Sequence, residues 1–339
     1  MRGLITNGKG NIQLVNDIPL PKISDYTAIV KTLACGICNG TDMKLVDGHL
    51  HGHDTYPAIL GHESVGEIVE LGKRVRNLHC GDRILRTKVI DTGNYASLYG
   101  GFTEYGLAFD YKAMVEDGVP VDQDLISQQI VPPTIEPAEA VMLITLKEVC
   151  SAWHRLGFYA GARVAVAGDG PVGVALGHLA KLMGASFVAI CGHHTDRLER
   201  AAKWGADLIV NTRCANFEEE IKKRCDSLDF FVDGVGRCEL ISQGLALIKN
   251  EGVIGLYGIG IETNKSVRWY AGPYNWKLQA VQFPIATLEA EVHDQVLDYV
   301  QSGKLILQDY VTHVYPVEEY KTAFDMVLAR KGMKVVLSF

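Results

Sequence analysis

The sequence predicts an α/β protein with two domains, a barrel-like β domain and a doubly wound parallel sheet. Its 339 residues are enough for two separate hydrophobic cores. Up to about residue 110, short β-rich runs such as YTAIVKTLAC and SVGEIVELG are separated by frequent Gly and Pro breaks. Beyond residue 160, strand-like and helix-like segments alternate from RVAVAGDG to GVIGLYGIG. That alternation is typical of βαβ units around a parallel sheet.

The domain boundaries follow from the segments on either side of this alternation. The run PAEAVMLITLKEVCSAWHRLG, which begins at Pro137, has helical periodicity and contains no Gly before Gly157. The C-terminal run KVVLSF is strand-like, and we expect it to return to the first domain. The predicted division is therefore 1–150 with 290–339 for the first domain, and 151–289 for the second.

Composition excludes several classes of function. A formal net charge of -7 without a basic stripe argues against nucleic-acid binding. No apolar run reaches the length of about 18 residues that spans a bilayer, and the polar N-terminus does not resemble a secretory signal. We therefore expect a cytoplasmic protein without a membrane or nucleic-acid partner. In that compartment its eight cysteines are expected to be thiols, metal ligands or core residues.

The segment RVAVAGDGPVG contains a G-x-G-x-x-G pattern formed by Gly168, Gly170 and Gly173, with Pro171 and Val172 between the last two. The pattern follows a predicted strand and opens a predicted helix, which is the context of a dinucleotide-binding turn. The first glycine permits the tight turn, the second allows backbone N–H groups to approach a pyrophosphate, and the third allows close packing of helix and sheet. The positive end of the helix dipole favours the phosphates.

The end of the next strand predicts which dinucleotide is preferred. An NAD site usually has Asp or Glu there, about 20 residues after the glycines, to bind the ribose hydroxyls. Here the position is Gly192, followed by His193, His194 and Arg197. Glycine leaves room for a 2′-phosphate, and the basic side chains are suited to bind it, which favours NADP over NAD. The alternative is that the two histidines are simply exposed loop residues.

A second set of polar residues lies in the β-rich half of the chain. Cys38 is part of CGICNGTD, and His62 and Glu63 are part of LGHESVGEIVELG. A thiolate, an imidazole and a carboxylate, with one position left for water or substrate, are the donors of a catalytic zinc site. Zinc in such a site acts as a Lewis acid on a substrate oxygen.

These motifs resemble those of the zinc-containing medium-chain alcohol and polyol dehydrogenases, most closely the sorbitol and threonine dehydrogenase branch. GHESVG is similar to their G-H-E-x-x-G signature, and GICNGTD is similar to their Cys-x-(Ser/Thr)-Asp segment. GGFTEYGLA, the glycine pattern and KWGAD extend the resemblance along nearly the whole chain. The resemblance implies a GroES-like catalytic domain joined to a Rossmann domain.

The resemblance also implies residue roles. Cys38 and His62 would bind zinc, and Glu63 would be either a third ligand or a carboxylate just behind the ligands. Thr41 would pass on the proton of the substrate hydroxyl, and Asp42 would orient His62 through its second ring nitrogen.

The sequence departs from the family pattern in two places around these residues. C-N-G-T-D has one residue more than C-x-T-D, so a bulge is expected at the end of the strand. The position where relatives often have a metal-binding Glu or Cys is Ile144, followed by Thr145. Glu148, one helical turn later, is a candidate ligand on the same helix face, and the alternative is an exposed helix glutamate.

A third departure concerns the number of metal ions. Many relatives carry a structural zinc held by four cysteines, but the sequence has no cysteine between Cys80 and Cys150. One catalytic zinc and no structural zinc are therefore expected.

The favoured function is a zinc-dependent, NAD(P)-dependent dehydrogenase of a polyol, sugar or other secondary alcohol, or the reductase of the corresponding ketone. The first alternative is a zinc-free medium-chain NADPH reductase of enones or quinones, which the Cys38–His62 pair disfavours. The second alternative is a non-enzymatic nucleotide-binding protein. A homodimer or homotetramer is expected, with VIGLYGIG and the run around WYAGPYNW as candidate contact strands.

Overall fold

The computed structural model describes residues 1–260 and 266–339, which divide into two compact units. The first consists of Met1–Thr145 and Ile285–Phe339, and the second of Leu146–Pro284. Both boundaries lie a few residues earlier than the sequence predicts. The first falls inside a continuous helix, so no break in the sequence marks it.

The first unit is built from two sheets. One has the strand order β2-β1-β4-β7, and the other has the order β16-β17-β3-β5-β6-β9 with β8 also paired to β3. The strands are β1 (Gly3–Thr6), β2 (Ile12–Val15), β3 (Thr27–Ile37), β4 (Ala58–Ile59), β5 (Glu63–Leu71), β6 (Arg83–Leu85), β7 (Ala96–Ser97), β8 (Tyr105–Phe109), β9 (Ile130–Val131), β16 (Val311–Pro316) and β17 (Lys334–Ser338). The C-terminal strand β17 pairs antiparallel with β3.

Helices of the first unit are short apart from the one that contains the boundary. They are α1 (Thr41–Val46), α2 (Tyr111–Glu116), α3 (Pro137–Leu156, as far as Thr145), α8 (Ala286–Glu291), α9 (His293–Gln301) and α10 (Tyr320–Leu328), with 3-10 turns at Gln123–Ser127, Leu307–Asp309 and Val317–Glu319. The core of this unit joins residues of β3, α1, α10 and β17, among them Cys35, Leu45, Phe324 and Leu337.

The second unit contains a six-stranded sheet whose strands are all parallel, in the order β12-β11-β10-β13-β14-β15. They are β10 (Arg163–Ala167), β11 (Phe187–Gly192), β12 (Leu208–Asn211), β13 (Leu228–Asp233), β14 (Ile248–Leu256) and β15 (Trp276–Ala280). Every residue of β13 is buried, as expected for a strand covered on both faces. Counted within the unit, the order is 3-2-1-4-5-6, which confirms the predicted doubly wound sheet.

Helices connect these strands as the alternating pattern predicts. They are α4 (Pro171–Leu182), α5 (Thr195–Lys203), α6 (Phe217–Lys222) and α7 (Cys238–Leu245), with a 3-10 turn at Trp269–Ala271. Proline at the first position of α4 needs no N–H partner and has a φ suited to a helix start.

Two expectations about individual segments are wrong. The additional residue in CNGTD produces no bulge at the strand end, because β3 ends at Ile37 and the extra length is taken up in the turn that opens α1 at Thr41. VIGLYGIG is not an edge, because its strand β14 is paired with β13 on one side and β15 on the other. The second candidate, the run around WYAGPYNW, ends at Trp276, which opens β15, and β15 has a free edge in the part of the sheet that the structure describes.

Among residues 1–260 and 266–339, we find no helix of the length and hydropathy required to cross a bilayer.

Candidate metal and cofactor sites

Three metal-binding side chains converge in the first unit. One ligand atom from each of Cys38, His62 and Glu63 lies within 4.8 Å of the other two. Glu63 is 2% exposed and His62 is 9% exposed, so the cluster lies below the surface of its unit. Among the described residues, no other cluster of this kind is found.

The local backbone explains why these residues meet. Cys38 directly follows β3, and Glu63 opens β5, which pairs with β3 so that Glu63 lies opposite Gly36. A Cβ atom on Gly36 would come within 2.4 Å of the Glu63 carboxylate, so glycine is needed there. Gly61 has a φ of +92°, a left-handed conformation that favours glycine and turns the chain into His62.

Asp42 connects the two halves of the cluster. One carboxylate oxygen accepts the backbone N–H of Cys38 at 2.9 Å, and the other lies 3.4 Å from Nδ1 of His62. The second oxygen also accepts the backbone N–H of Gly61 at 3.3 Å. Such an arrangement fixes the orientation of the imidazole ring and leaves Nε2 for another partner. Thr41 lies beside it at the start of α1, where its backbone N–H points to the Cys38 sulfur at 3.5 Å.

The electrostatics of the cluster favour a cation. Burial alone would lower the pKa of His62, but the charge and hydrogen bond of Asp42, together with Cys38, raise the pKa well above its ordinary value. The surroundings that favour a proton on the imidazole also favour a metal ion bound to it. The donor set, its burial and its negative neighbours therefore fit zinc.

Glu63 has its own cation. Its Oε2 accepts a hydrogen bond from Nζ of Lys334 at 2.5 Å, and its Oε1 accepts one from the hydroxyl of Thr145 at 3.0 Å. Burial alone would raise the pKa of Glu63, but Lys334 and His62 lower the pKa below its ordinary value, so the carboxylate is ionised. In both roles predicted for Glu63, as a direct ligand or as a supporting carboxylate, the side chain would be ionised and paired with Lys334 before metal binds.

The position where relatives often have a metal-binding Glu or Cys has no donor atom. Ile144 is fully buried there, and the next residue, Thr145, bonds to Glu63. Glu148 is not a member of the three-residue cluster. Cys35, three residues before Cys38, is also fully buried, and burial raises the pKa of its thiol well above the ordinary range.

The glycine pattern in the second unit has the geometry of a phosphate-binding turn. Gly168 has a φ of +122°, and a Cβ on Gly173 would lie 2.0 Å from the carbonyl oxygen of Gly168. A Cβ on Gly170 would meet no atom within 4 Å, so open space lies in front of this backbone. Pro171 and Val172 then begin α4. These features fit a dinucleotide pyrophosphate at the helix N-terminus.

Beside this turn, β11 ends at Gly192, and His193 and His194 follow it. The space next to Gly192 is occupied by the carboxylate of Asp169, the second residue of the glycine pattern. His193 is exposed, and its Nδ1 lies 2.8 Å from the hydroxyl of Thr212. Arg197 is 7% exposed, which makes it much less accessible than the two histidines.

Sequence reasoning missed four residues that contact the predicted sites: Lys334, Thr145, Asp169 and Thr212. Only Asp169 carried a signal, since it lies inside the glycine pattern at a position that the pattern leaves open.

Comparisons with known proteins agree with this description of the two units. Residues 24–118 match the model of the alcohol dehydrogenase GroES-like domain, and residues 171–278 match that of the zinc-binding dehydrogenases. The sorbitol dehydrogenase of Bombyx mori is 25% identical, with 98% of this chain and 97% of that protein aligned. The L-threonine 3-dehydrogenase of Pyrococcus horikoshii is 27% identical over 94% of this chain and 93% of its own length.

Solved structures agree on the fold. Benzyl alcohol dehydrogenase from Acinetobacter calcoaceticus superposes with a TM-score of 0.82 at 19% identity, covering 100% of this chain and 99% of its own. Together, the two matching family models, the full-length relatives and the Cys38–His62–Glu63 cluster show that the chain belongs to the zinc-containing medium-chain alcohol and polyol dehydrogenases.

Proposed function

We propose that this protein is a zinc-dependent, NADP-preferring dehydrogenase that oxidises a polyol, sugar or other secondary alcohol, or reduces the corresponding ketone. The observation that carries the proposal is the convergence of a half-buried thiol with a buried imidazole and a buried carboxylate, all within 4.8 Å of one another. The sorbitol and threonine dehydrogenases among its full-length relatives support a small hydroxylated substrate.

Each residue of the cluster has a distinct proposed role. Cys38 and His62 would hold zinc, with Glu63 as a third ligand or as the carboxylate behind them. When bound, zinc supplies a Lewis acid that lowers the pKa of a substrate hydroxyl. The side-chain hydroxyl of Thr41 would pass the substrate hydroxyl proton on to the cofactor ribose or to water. Asp42 keeps His62 oriented by the 3.4 Å contact to Nδ1.

The cofactor assignment rests on the second unit. Gly168, Gly170, Pro171, Val172 and Gly173 would hold the pyrophosphate at the start of α4, where the helix dipole favours negative charge. Beyond Gly192, a 2′-phosphate would meet His193 and His194 first. We place Arg197 second because of its low exposure.

Metal analysis tests the proposal most directly. We expect about one zinc per chain in the purified protein, because residues 1–260 and 266–339 contain one such donor set and the sequence has no cysteine between Cys80 and Cys150. Removal of zinc with a strong chelator should abolish NADP-dependent oxidation across a panel of polyols and secondary alcohols, and added Zn²⁺ should restore it.

The same assay separates the proposal from its main alternative. A protein without bound zinc that fully reduces enones or quinones with NADPH would contradict the zinc mechanism and support a zinc-free reductase. Cofactor binding without turnover on any alcohol or ketone would instead support a non-enzymatic nucleotide-binding protein.

We further propose that the protein forms a homodimer or homotetramer through β15. This edge strand carries Leu278, which is 41% exposed, and Trp276, which stacks on Trp269 at a centroid distance of 6.0 Å. Tyr270 and Tyr274 nearby are fully exposed. A free edge beside apolar surface is suited to pairing with a second copy.

Leu278→Asp should therefore reduce the mass of the protein in solution to that of a monomer, because a charge on the edge opposes strand pairing. Light scattering after size exclusion measures this. Val115→Asp is the matched control, since Val115 is 63% exposed on α2 and far from this strand in sequence. An unchanged mass for the Leu278 variant would contradict the assignment of the interface.

A cytoplasmic location completes the proposal. It is supported by the eight cysteines, none of which forms a disulfide bond in the part of the chain that the structure describes, as expected in a reducing compartment.

A further inference from the structure

Asp169 is a buried carboxylate inside the cofactor turn that the proposed reaction does not use. It is 7% exposed, and its Oδ2 accepts the backbone N–H groups of His193 and His194, each at 2.6 Å. Its Oδ1 lies 3.0 Å from Nδ1 of His194. The acid is thus bonded to the turn that follows β11, the turn in which NAD-binding relatives of this fold usually place their own acid.

The absence of a side chain at Gly192 leaves space that the Asp169 carboxylate fills. A Cβ atom on Gly192 would lie 2.2 Å from the carboxyl carbon of Asp169, closer than real side chains approach. The missing side chain at the strand end therefore makes room for Asp169. An acid introduced at residue 192 alone would collide with the acid already present.

The two histidine rings are held by different partners. Nδ1 of His194 faces Asp169, and Nδ1 of His193 faces the hydroxyl of Thr212 at 2.8 Å. In both rings the contact is made by Nδ1, so the other ring nitrogen, Nε2, points away from Asp169 in His194 and away from Thr212 in His193. A hydrogen bond at one ring nitrogen sets the proton position and orientation of the other.

The charge of Asp169 is compensated locally. Burial alone would raise its pKa, but the backbone and side chain of His194 and the backbone of His193 lower the pKa below its ordinary value. A carboxylate that already accepts these hydrogen bonds repels a nearby phosphate less than an acid pointing into solvent.

We infer that Asp169 is a positioning residue that sets the cofactor preference, because it holds the His193–His194 turn in the conformation that receives the 2′-phosphate of NADP. This inference rests on the proposed function, and it adds a determinant that lies inside the glycine pattern. The pair Asp169–Gly192 forms one unit, in which neither residue can be changed without an effect on the other.

The first test compares Asp169→Ala with Asp169→Asn. The asparagine side chain can still accept the two backbone N–H groups and can donate to His194 after a change of tautomer, whereas alanine removes every contact. We expect Asp169→Ala to weaken the binding of adenosine 2′,5′-bisphosphate about 10-fold or more, measured by calorimetry, because bonds to a charged group are lost. AMP binding should change much less, and Asp169→Asn should retain most of the wild-type affinity.

Kinetics provide the second readout. For Asp169→Ala, the KM for NADP should rise relative to the KM for NAD, with kcat retained, since the turn contacts the adenosine end of the cofactor. Asp196→Ala is the matched control, because Asp196 is an exposed carboxylate in the first turn of α5, two residues after His194. It should leave the ratio of the two KM values unchanged.

The third test is a double-mutant cycle. Gly192→Ala should weaken NADP binding on its own, because its Cβ displaces the Asp169 carboxylate. Adding Asp169→Ala to it should cost little more, so the two effects are strongly non-additive.

Three results would overturn the inference: equal losses for NADP and NAD in Asp169→Ala, a harmless Gly192→Ala, or additive effects in the cycle. A wild type that prefers NAD would contradict the proposed cofactor instead. The role of Asp169 is then tested separately: it is supported if Asp169→Ala changes the ratio of the affinities for NADP and NAD, and contradicted if the ratio stays the same.

Discussion

His62→Ala is expected to yield a folded protein with little bound zinc and with alcohol oxidation reduced by more than about 100-fold. Loss of a group that merely supports a metal ligand commonly costs about 10–100-fold in affinity or activity, and a direct ligand should cost more. Asp42 would then lie buried at 1% exposure without the imidazole it contacts. Cys38→Ser should have a similar effect on zinc content, because a serine hydroxyl is a poor substitute for thiolate.

Neighbouring residues provide matched controls for both changes. His79 has a side chain that is 75% exposed, and Cys80 is exposed next to it. His79→Ala and Cys80→Ser should retain zinc and activity. Zinc per chain and kcat/KM are measured on the same preparations. A wild-type kcat/KM for alcohol oxidation in His62→Ala or Cys38→Ser would contradict the zinc mechanism, whatever the zinc content of the variant.

Much of the fold was predictable because its signals are local. The second unit alternates buried strands and helices along the chain, so periodicity alone indicates a parallel sheet, and the glycines of the cofactor turn lie within six residues from Gly168 to Gly173. His62 and Glu63 are adjacent in sequence, and Cys38 follows a strand that pairs with theirs. These constraints act over short segments, and a single sequence contains them.

Other features depend on contacts that sequence spacing does not reveal. Lys334 bonds to Glu63 across 271 positions of the chain, and only the pairing of β17 with β3 brings it there. Thr145 replaces a donor expected at Ile144, because the helix directs the next residue to Glu63. The bulge predicted after Ile37 is absent because a turn absorbs an inserted residue as readily as a strand end does.

Lys334→Met is expected to destabilise the zinc-free protein by about 3–5 kcal/mol, the usual cost of removing one partner of a buried ion pair. Lys334 is 3% exposed and Glu63 is 2% exposed, so the variant would leave a buried carboxylate that has lost its ammonium partner and keeps the Thr145 hydroxyl and the neighbouring His62. The free energy of unfolding of the chelated protein in denaturant measures this. Lys222→Met is the control, because Lys222 is paired with Glu218 at side-chain exposures of 52% and 27%, and loss of this surface pair should cost at most about 1 kcal/mol.

Zinc should restore the stability lost in Lys334→Met only if the Glu63 carboxylate binds the metal ion. A metal ion on Glu63 would replace the missing ammonium charge, so added Zn²⁺ should stabilise Lys334→Met more than it stabilises the wild type. The double variant Glu63→Gln, Lys334→Met removes both charges, and it should be more stable than Lys334→Met without zinc because no buried charge is left unpaired. If that double variant binds zinc as tightly as the wild type, Glu63 is not a ligand and acts from behind Cys38 and His62. If its zinc affinity falls by much more than about 100-fold, the Glu63 carboxylate is the third ligand. Lys334 is then the cation that pairs with this carboxylate in the zinc-free protein.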